Sequence, residues 1–143
     1  MLSGTYRVRV DDKGRIAIPA AFRRQLPEGT HISIGQDSTL TIYPPEQWNA
    51  ISERLGDPFQ KRNLRALARI LFSTALACEF DQQGRVSLSQ EQRRLAGIEP
   101  RSTAAVVGTG KAVEIWPEGR WDSFYGDTQE HYTELTEEAN LTP

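Results

Sequence analysis

The side chains in this chain best placed to do chemistry are cations beside a tight turn. Asp11-Asp12-Lys13-Gly14-Arg15 sets an arginine directly after a glycine, and Asp81-Gln82-Gln83-Gly84-Arg85 repeats the arrangement. An arginine just past a reversal, on a projecting edge, can lay its planar fork on a phosphate or against a guanine edge. Arg7 and Arg9 precede the first turn and Lys13 occupies its tip, so they widen the same cationic patch. These residues (Arg15, Arg85, Lys13, Arg7 and Arg9, with Gly14 and Gly84 shaping the turns) form the candidate DNA-binding set. Asp11 and Asp81 read as structural members of the motif. The opposing reading is that Asp11 and Arg15 form an ion pair that only pins a hairpin. Exposed ion pairs contribute little stability, which favours nucleic-acid contact for Arg15. Arg23-Arg24 and Arg93-Arg94 fit a DNA-facing helix or a solvated one equally well. Arg62, Arg65 and Arg69 read as a solvated or subunit-facing stripe.

Enzymatic chemistry finds little to use. His31 and His131 are far apart, and no Cys/His set has zinc-ligand spacing. The sequence contains neither a glycine-rich phosphate loop nor a nucleophile elbow. Asp11 and Asp12 are neighbours at an expected strand end, so their side chains diverge. The expectation is a non-enzyme that needs neither metal nor cofactor.

A net charge of -2 over 143 residues looks wrong for a nucleic-acid binder, but the average hides a gradient. Residues 7–26 carry six basic side chains against two acidic ones, whereas from Glu114 onward eight acidic side chains face only Arg120. DNA responds to the local patch, because salt screens charges beyond roughly 8–10 Å. No apolar run has the length of a membrane span, and MLSGTYRVRV lacks the apolar stretch of a signal peptide. The lone Cys78 cannot close an internal disulfide, which suits a reducing compartment. A cytoplasmic, nucleoid-associated protein without membrane partners is expected.

The elements that must hold the arginines come from an internal duplication. With a shift of 70, RVRVDDKGRIAIPAAFRRQL falls on ACEFDQQGRVSLSQEQRRLA, matching Asp11 to Asp81, Gly14 to Gly84, Arg15 to Arg85 and Arg23-Arg24 to Arg93-Arg94. With three more residues in the second copy, IGQDSTLTIYPPEQW falls on VGTGKAVEIWPEGRW. Tyr6, Val8 and Val10 alternate with Arg7 and Arg9, the period of a half-buried strand. Gly14 and Gly84 permit the reversal, and a second strand resumes at Arg15 and Arg85. Pro19 suits the first turn of a short helix, AAFRRQL, while Ser89 and Gln92 give the second copy an S-x-x-Q capping box there. Further strand pairs are predicted at 31–35 with 39–43 and 104–108 with 112–116. Helices are predicted from Pro45 until Gly56-Asp57-Pro58 and over FQKRNLRALARILF. Trp48 and Trp121 read as core anchors, Cys78 as a small buried hydrophobe, and 136–143 as a frayed end. Neither copy can bury a good core alone, so the two should pack as a pseudo-symmetric pair.

The copies are unequal. Arg7 and Arg9 align with Ala77 and Glu79, and Lys13 aligns with Gln83, so 77–96 carries three basic and three acidic residues. The first copy is expected to supply most of the phosphate attraction.

MLSGTYRVRVDDKGRIAIPAAFRRQL, together with ACEFDQQGRVSL and VVGTGKAVEIW, closely resembles the bacterial MraZ family, whose chains carry two AbrB-like modules. The resemblance spans nearly the whole chain. It implies an α+β fold of two tandem swapped-hairpin β-barrel modules packed as a pseudo-dimer, with connecting and C-terminal helices. The corresponding division is 1–58 for the first module and 59–143 for the linking helix and second module. It also implies a ring-shaped homo-oligomer that binds short direct repeats in double-stranded DNA. The implied role is regulation, typically repression, of the division and cell-wall gene cluster that includes its own gene, with Arg15, Arg85 and their neighbouring cations reading the DNA. The sequence departs from the family pattern at Ser89, where proline is common, and at Thr74, where a glycine is expected. Two other readings stay open: an AbrB-like antitoxin whose acidic, aromatic stretch 121–135 wraps a toxin, and an oligomeric scaffold or small hydrolase without a DNA role.

Overall fold

A computed structural model describes residues 1–141 of the chain. In chain order the elements are β1 (Thr5–Arg9), β2 (Arg15–Ala17), α1 (Ala20–Arg23), β3 (His31–Ile34), β4 (Leu40–Tyr43), α2 (Pro45–Leu55) and α3 (Arg62–Ser73). They continue with β5 (Leu76–Ala77), β6 (Arg85–Ser87), α4 (Gln90–Ala96), β7 (Thr103–Gly108), β8 (Val113–Pro117), α5 (Glu118–Gln129) and α6 (Tyr132–Glu138). The class is α+β and the strand pairing is antiparallel throughout.

The two halves are woven together. Six strands run in the order β1-β7-β8-β4-β3-β5, and β2 pairs with β6 in a separate ribbon. Hence β1 lies on a strand of the second half and β5 on a strand of the first, while each turn-bearing hairpin meets the other half. Among the described residues the six-stranded ladder stays open, and the expected barrel is an open sheet plus the β2–β6 ribbon.

The core explains the exchange. Val10, Ile16, Ile18 and Phe22 from the first half form one buried cluster with Val86, Leu88, Ile98, Val106 and Ile115 from the second. Apolar side chains that one half would leave wet are covered by the other, and that burial is the main driving force for the arrangement. A second cluster joins Trp48, Leu55 and Leu71 where α2 and α3 pack together.

Three expectations shift in detail. The helix after Pro19 is a single turn, because Arg24 is its C-cap. Trp121 is only half-buried and Trp116 is the buried member of that aromatic group, so Trp116 serves as the anchor. The tail expected to fray is helical through Glu138, while Thr142 and Pro143 lie outside the described residues. Cys78 is buried as expected, and burial pushes its thiol up to about 12. Thr74 ends α3 with an ordinary backbone, φ -97°, and its hydroxyl donates to the Ile70 carbonyl at 2.9 Å, so nothing there requires glycine. Among the described residues no helix is long and apolar enough to cross a membrane.

Candidate nucleic-acid interface

Each turn is organised by its aspartate. Asp11 N–H donates to the Arg15 carbonyl at 2.9 Å and Gly14 N–H to the Asp11 carbonyl at 3.1 Å, with Gly14 at φ +78°. Asp11 Oδ1 accepts from the backbone N–H groups of Lys13 and Arg15, both at 2.9 Å, and Oδ2 accepts from Arg15 Nε at 2.7 Å. The second turn repeats the scheme: Asp81 Oδ1 accepts from Gln83 and Arg85 N–H at 2.9 Å, and Oδ2 accepts from Arg85 Nε at 2.9 Å. Hydrogen bonds to the ionised form hold the Asp11 carboxyl down at about 2, the Arg15 backbone N–H contributing most, and Asp81 is lowered for the same reason.

The ion pair that could merely pin the hairpin is therefore present, but it spends only the Nε edge of each guanidinium on its aspartate. Side-chain exposure is 28% for Arg15 and 27% for Arg85, so neither group is locked inside. The pair fixes the arginine's direction, and in Arg15 the two terminal nitrogens carry no hydrogen bond among the described residues.

The ribbon brings the two turns together. Ile16 opposes Val86, with Arg15 opposite Ser87 and Ala17 opposite Arg85, so a local pseudo-twofold axis passes between Ile16 and Val86. Cross-bonds extend the symmetry: Leu88 N–H donates to the Gly14 carbonyl at 3.1 Å and Ile18 N–H to the Gly84 carbonyl at 3.0 Å. Arg85 Nη1 reaches Asp11 Oδ2 at 3.5 Å, which ties one hairpin to the other. Arg93 lies over Gly14 and Arg23 over Gly84, where a Cβ would fall 2.5 Å from Arg93 Nε and still closer to Arg23 Nη1. Arg23 also donates to the Ile18 carbonyl at 2.5 Å. The two halves of each RR pair thus divide: Arg23 and Arg93 buttress the turn across the axis, while Arg24 and Arg94 are exposed, the latter bound to Glu91.

The remaining cations are not equivalent. Lys13 and Arg9 are exposed beside the first turn and take part in none of the ion pairs among the described residues. Arg7 is also exposed, but its guanidinium bridges Glu118 Oε2 at 3.1 Å and Asp122 Oδ1 at 2.7 Å on α5. That contact joins residues more than a hundred positions apart, so no local pattern could have disclosed it. What results is a pair of arginines set beside a pseudo-twofold axis, flanked by free cations on the first-copy side.

Comparison with known proteins identifies the family. The family model described as "MraZ protein, putative antitoxin-like" matches residues 1–70 and again 71–142. The chain belongs to the MraZ family. A protein of Moorella thermoacetica named "Transcriptional regulator MraZ" is 38% identical over 138 residues, 96% of this chain and 95% of that one. Proteins of the same name from Ligilactobacillus salivarius and Limosilactobacillus reuteri are each 36% identical, the latter over 99% of both chains. A solved structure, PHS018 from Pyrococcus horikoshii, is similar over 80% of this chain and 88% of its own at 17% identity, with a TM-score of 0.33. The duplication read from D-x-x-G-R spacing is thus a doubled MraZ motif, and the woven sheet is what that doubling builds in this member of the family.

Proposed function

We propose that this MraZ-family chain is a transcriptional regulator that grips double-stranded DNA with its two hairpins, Arg15 and Arg85 reading or clamping the duplex. Lys13 and Arg9 add phosphate attraction on the first-copy side, and Gly14 and Gly84 supply the left-handed backbone of the turns and the room that Arg93 and Arg23 fill. Arg7 contributes only when its carboxylate partners release it. The observation that carries the reading is the pseudo-twofold ribbon, which holds two aspartate-braced guanidinium groups near one another and partly exposed. The names of the relatives agree with it.

The finer role follows the resemblance: repression, from short direct repeats, of the division and cell-wall cluster that includes the chain's own gene, in the cytoplasm on the nucleoid. A homo-oligomeric ring would present identical hairpin pairs to repeats about one helical turn, roughly 10 base pairs, apart. Several weak contacts would then add through avidity. Exposed Leu67 and Ile70 on α3 supply apolar surface for such an assembly.

A gel shift on the DNA upstream of the gene tests the reading. Wild type should bind, Arg15→Ala should bind far less, and Arg85→Ala should lose less with a smaller change in salt dependence. Equal losses with equal salt slopes would remove the assigned imbalance between the copies, and no binding by wild type at low salt would remove the function.

A further inference from the structure

The two halves contain one more matched turn, and there they differ in charge. In the first half, Thr30 N–H donates to the Pro27 carbonyl at 3.1 Å and its hydroxyl donates to the same atom at 2.6 Å. In the second half, Ser102 N–H donates to the Glu99 carbonyl at 3.3 Å and its hydroxyl donates to that atom at 2.6 Å. The residue before the hydroxyl has left-handed backbone in both: Gly29 at φ +96° and Arg101 at φ +65°. Glycine adopts that conformation freely, whereas a residue with a Cβ is destabilised there by of order 1 kcal/mol. The chain therefore keeps an arginine at a position where its own duplicate shows that glycine serves the fold.

The place of this turn is informative. Arg101 N–H donates to the Val10 carbonyl at 2.8 Å, and Val10 N–H donates to the Ser102 carbonyl at 2.8 Å. Arg101 is thereby fastened to the residue that precedes Asp11, at the base of the first hairpin. The glycine-bearing turn instead meets Cys78, whose N–H donates to the Thr30 carbonyl at 2.8 Å. Arg101 is exposed, and the ion pairs among the described residues do not include it. Strained backbone that the surrounding bonds maintain clusters at ligand sites, and here it coincides with an exposed cation beside the candidate hairpin.

We propose that Arg101 binds a DNA phosphate flanking the first hairpin and that this one-sided contact gives the pseudo-symmetric hairpin pair a direction on its site. The inference rests on the DNA-binding reading above. A twofold reader has no preferred direction on a duplex, whereas a direct repeat has one. Arg9, Lys13 and Arg101 gather around the first hairpin, while their counterparts are Glu79, Gln83 and Gly29. The second half of the chain thus lends a cation to the first half's hairpin, which the charge count of either copy alone does not reveal.

Fluorescence anisotropy on a single-repeat duplex over a range of salt concentrations tests this with Arg101→Gly, Arg101→Lys and Arg15→Ala. Arg101→Gly should bind roughly five- to tenfold more weakly near physiological salt, with a log–log salt slope shallower by about one. Its Tm should be unchanged or higher, because glycine relieves the left-handed strain. Arg101→Lys, equally strained but still cationic, should keep most of the affinity and the slope. Hydroxyl-radical footprinting of Arg101→Gly should lose protection on one flank of the repeat only. Wild-type affinity and slope in Arg101→Gly, while Arg15→Ala loses binding, would overturn the Arg101 assignment and leave the hairpin reading standing. A lowered Tm with an unchanged slope would assign Arg101 to the fold and overturn the proposal too. Absence of salt-sensitive binding by wild type would overturn both.

Discussion

At the scale of single residues, the two aspartates decide how the arginines are presented. Asp11 is ordinarily half-protonated near pH 4 and here only at about 2, so its contribution to stability is complete above pH 4. That contribution is lost as pH falls from about 4 to about 2, and Asp81 acts in the same direction. Thermal melts across that range should show wild type losing Tm more steeply than Asp11→Asn/Asp81→Asn, and parallel declines would refute the linkage. Gly14→Ala combines a left-handed backbone with a Cβ directed at Arg93, and should lower stability by about 1–2 kcal/mol in urea unfolding. The D-x-x-G-R spacing was legible because its chemistry is local: glycine for the reversal, aspartate for two backbone N–H groups. What covers Gly14 was not legible, since Arg93 approaches it from the other copy.

At the scale of elements, one buried position shows how equivalent places in the duplicate are solved differently. Phe22 in α1 and Gln92 in α4 align, and both are fully buried. The capping box read from S-x-x-Q is formed: Gln92 N–H donates to Ser89 Oγ at 3.0 Å, and Ser89 N–H donates to Gln92 Oε1 at 3.2 Å. The same amide also donates to the Ile32 carbonyl at 3.0 Å and the Thr74 carbonyl at 2.9 Å, tying α4 to β3 and to the end of α3. Ser89→Ala should therefore cost about 1 kcal/mol. Gln92→Ala should cost about 2–3 kcal/mol, because it takes the acceptor from Ser89 N–H and the amide donor from the Ile32 and Thr74 carbonyls. Equal losses in chemical denaturation would show that the amide only caps. The cap was readable from sequence because its partners lie three residues apart. The two longer bonds depend on tertiary placement, as does the pairing of Arg7 with α5.

At the scale of the whole molecule, the duplication was plain in the sequence, but the exchange of strands was implied only by the family resemblance. Periodicity locates strands and says nothing of partners, and β5 is too short to announce itself. Because β1 pairs with β7, β2 with β6 and β3 with β5, neither half can satisfy its ladders alone. Residues 1–70 and 71–143 produced separately should lack cooperative melting by circular dichroism. Mixed, they should regain it, whereas two independently folded halves would contradict the woven architecture. The C-terminal helices carry much of the chain's negative charge, and among the described residues the α5 carboxylates Glu118 and Asp122 pair with Arg7. The most direct measurement of the central claim is the log–log salt slope of promoter-DNA affinity for wild type and for Arg15→Ala/Arg85→Ala. A steep slope in wild type, with both affinity and slope falling sharply in the double variant, is the expected result. Identical slopes and affinities in the two proteins would show that the paired hairpins do not hold the DNA.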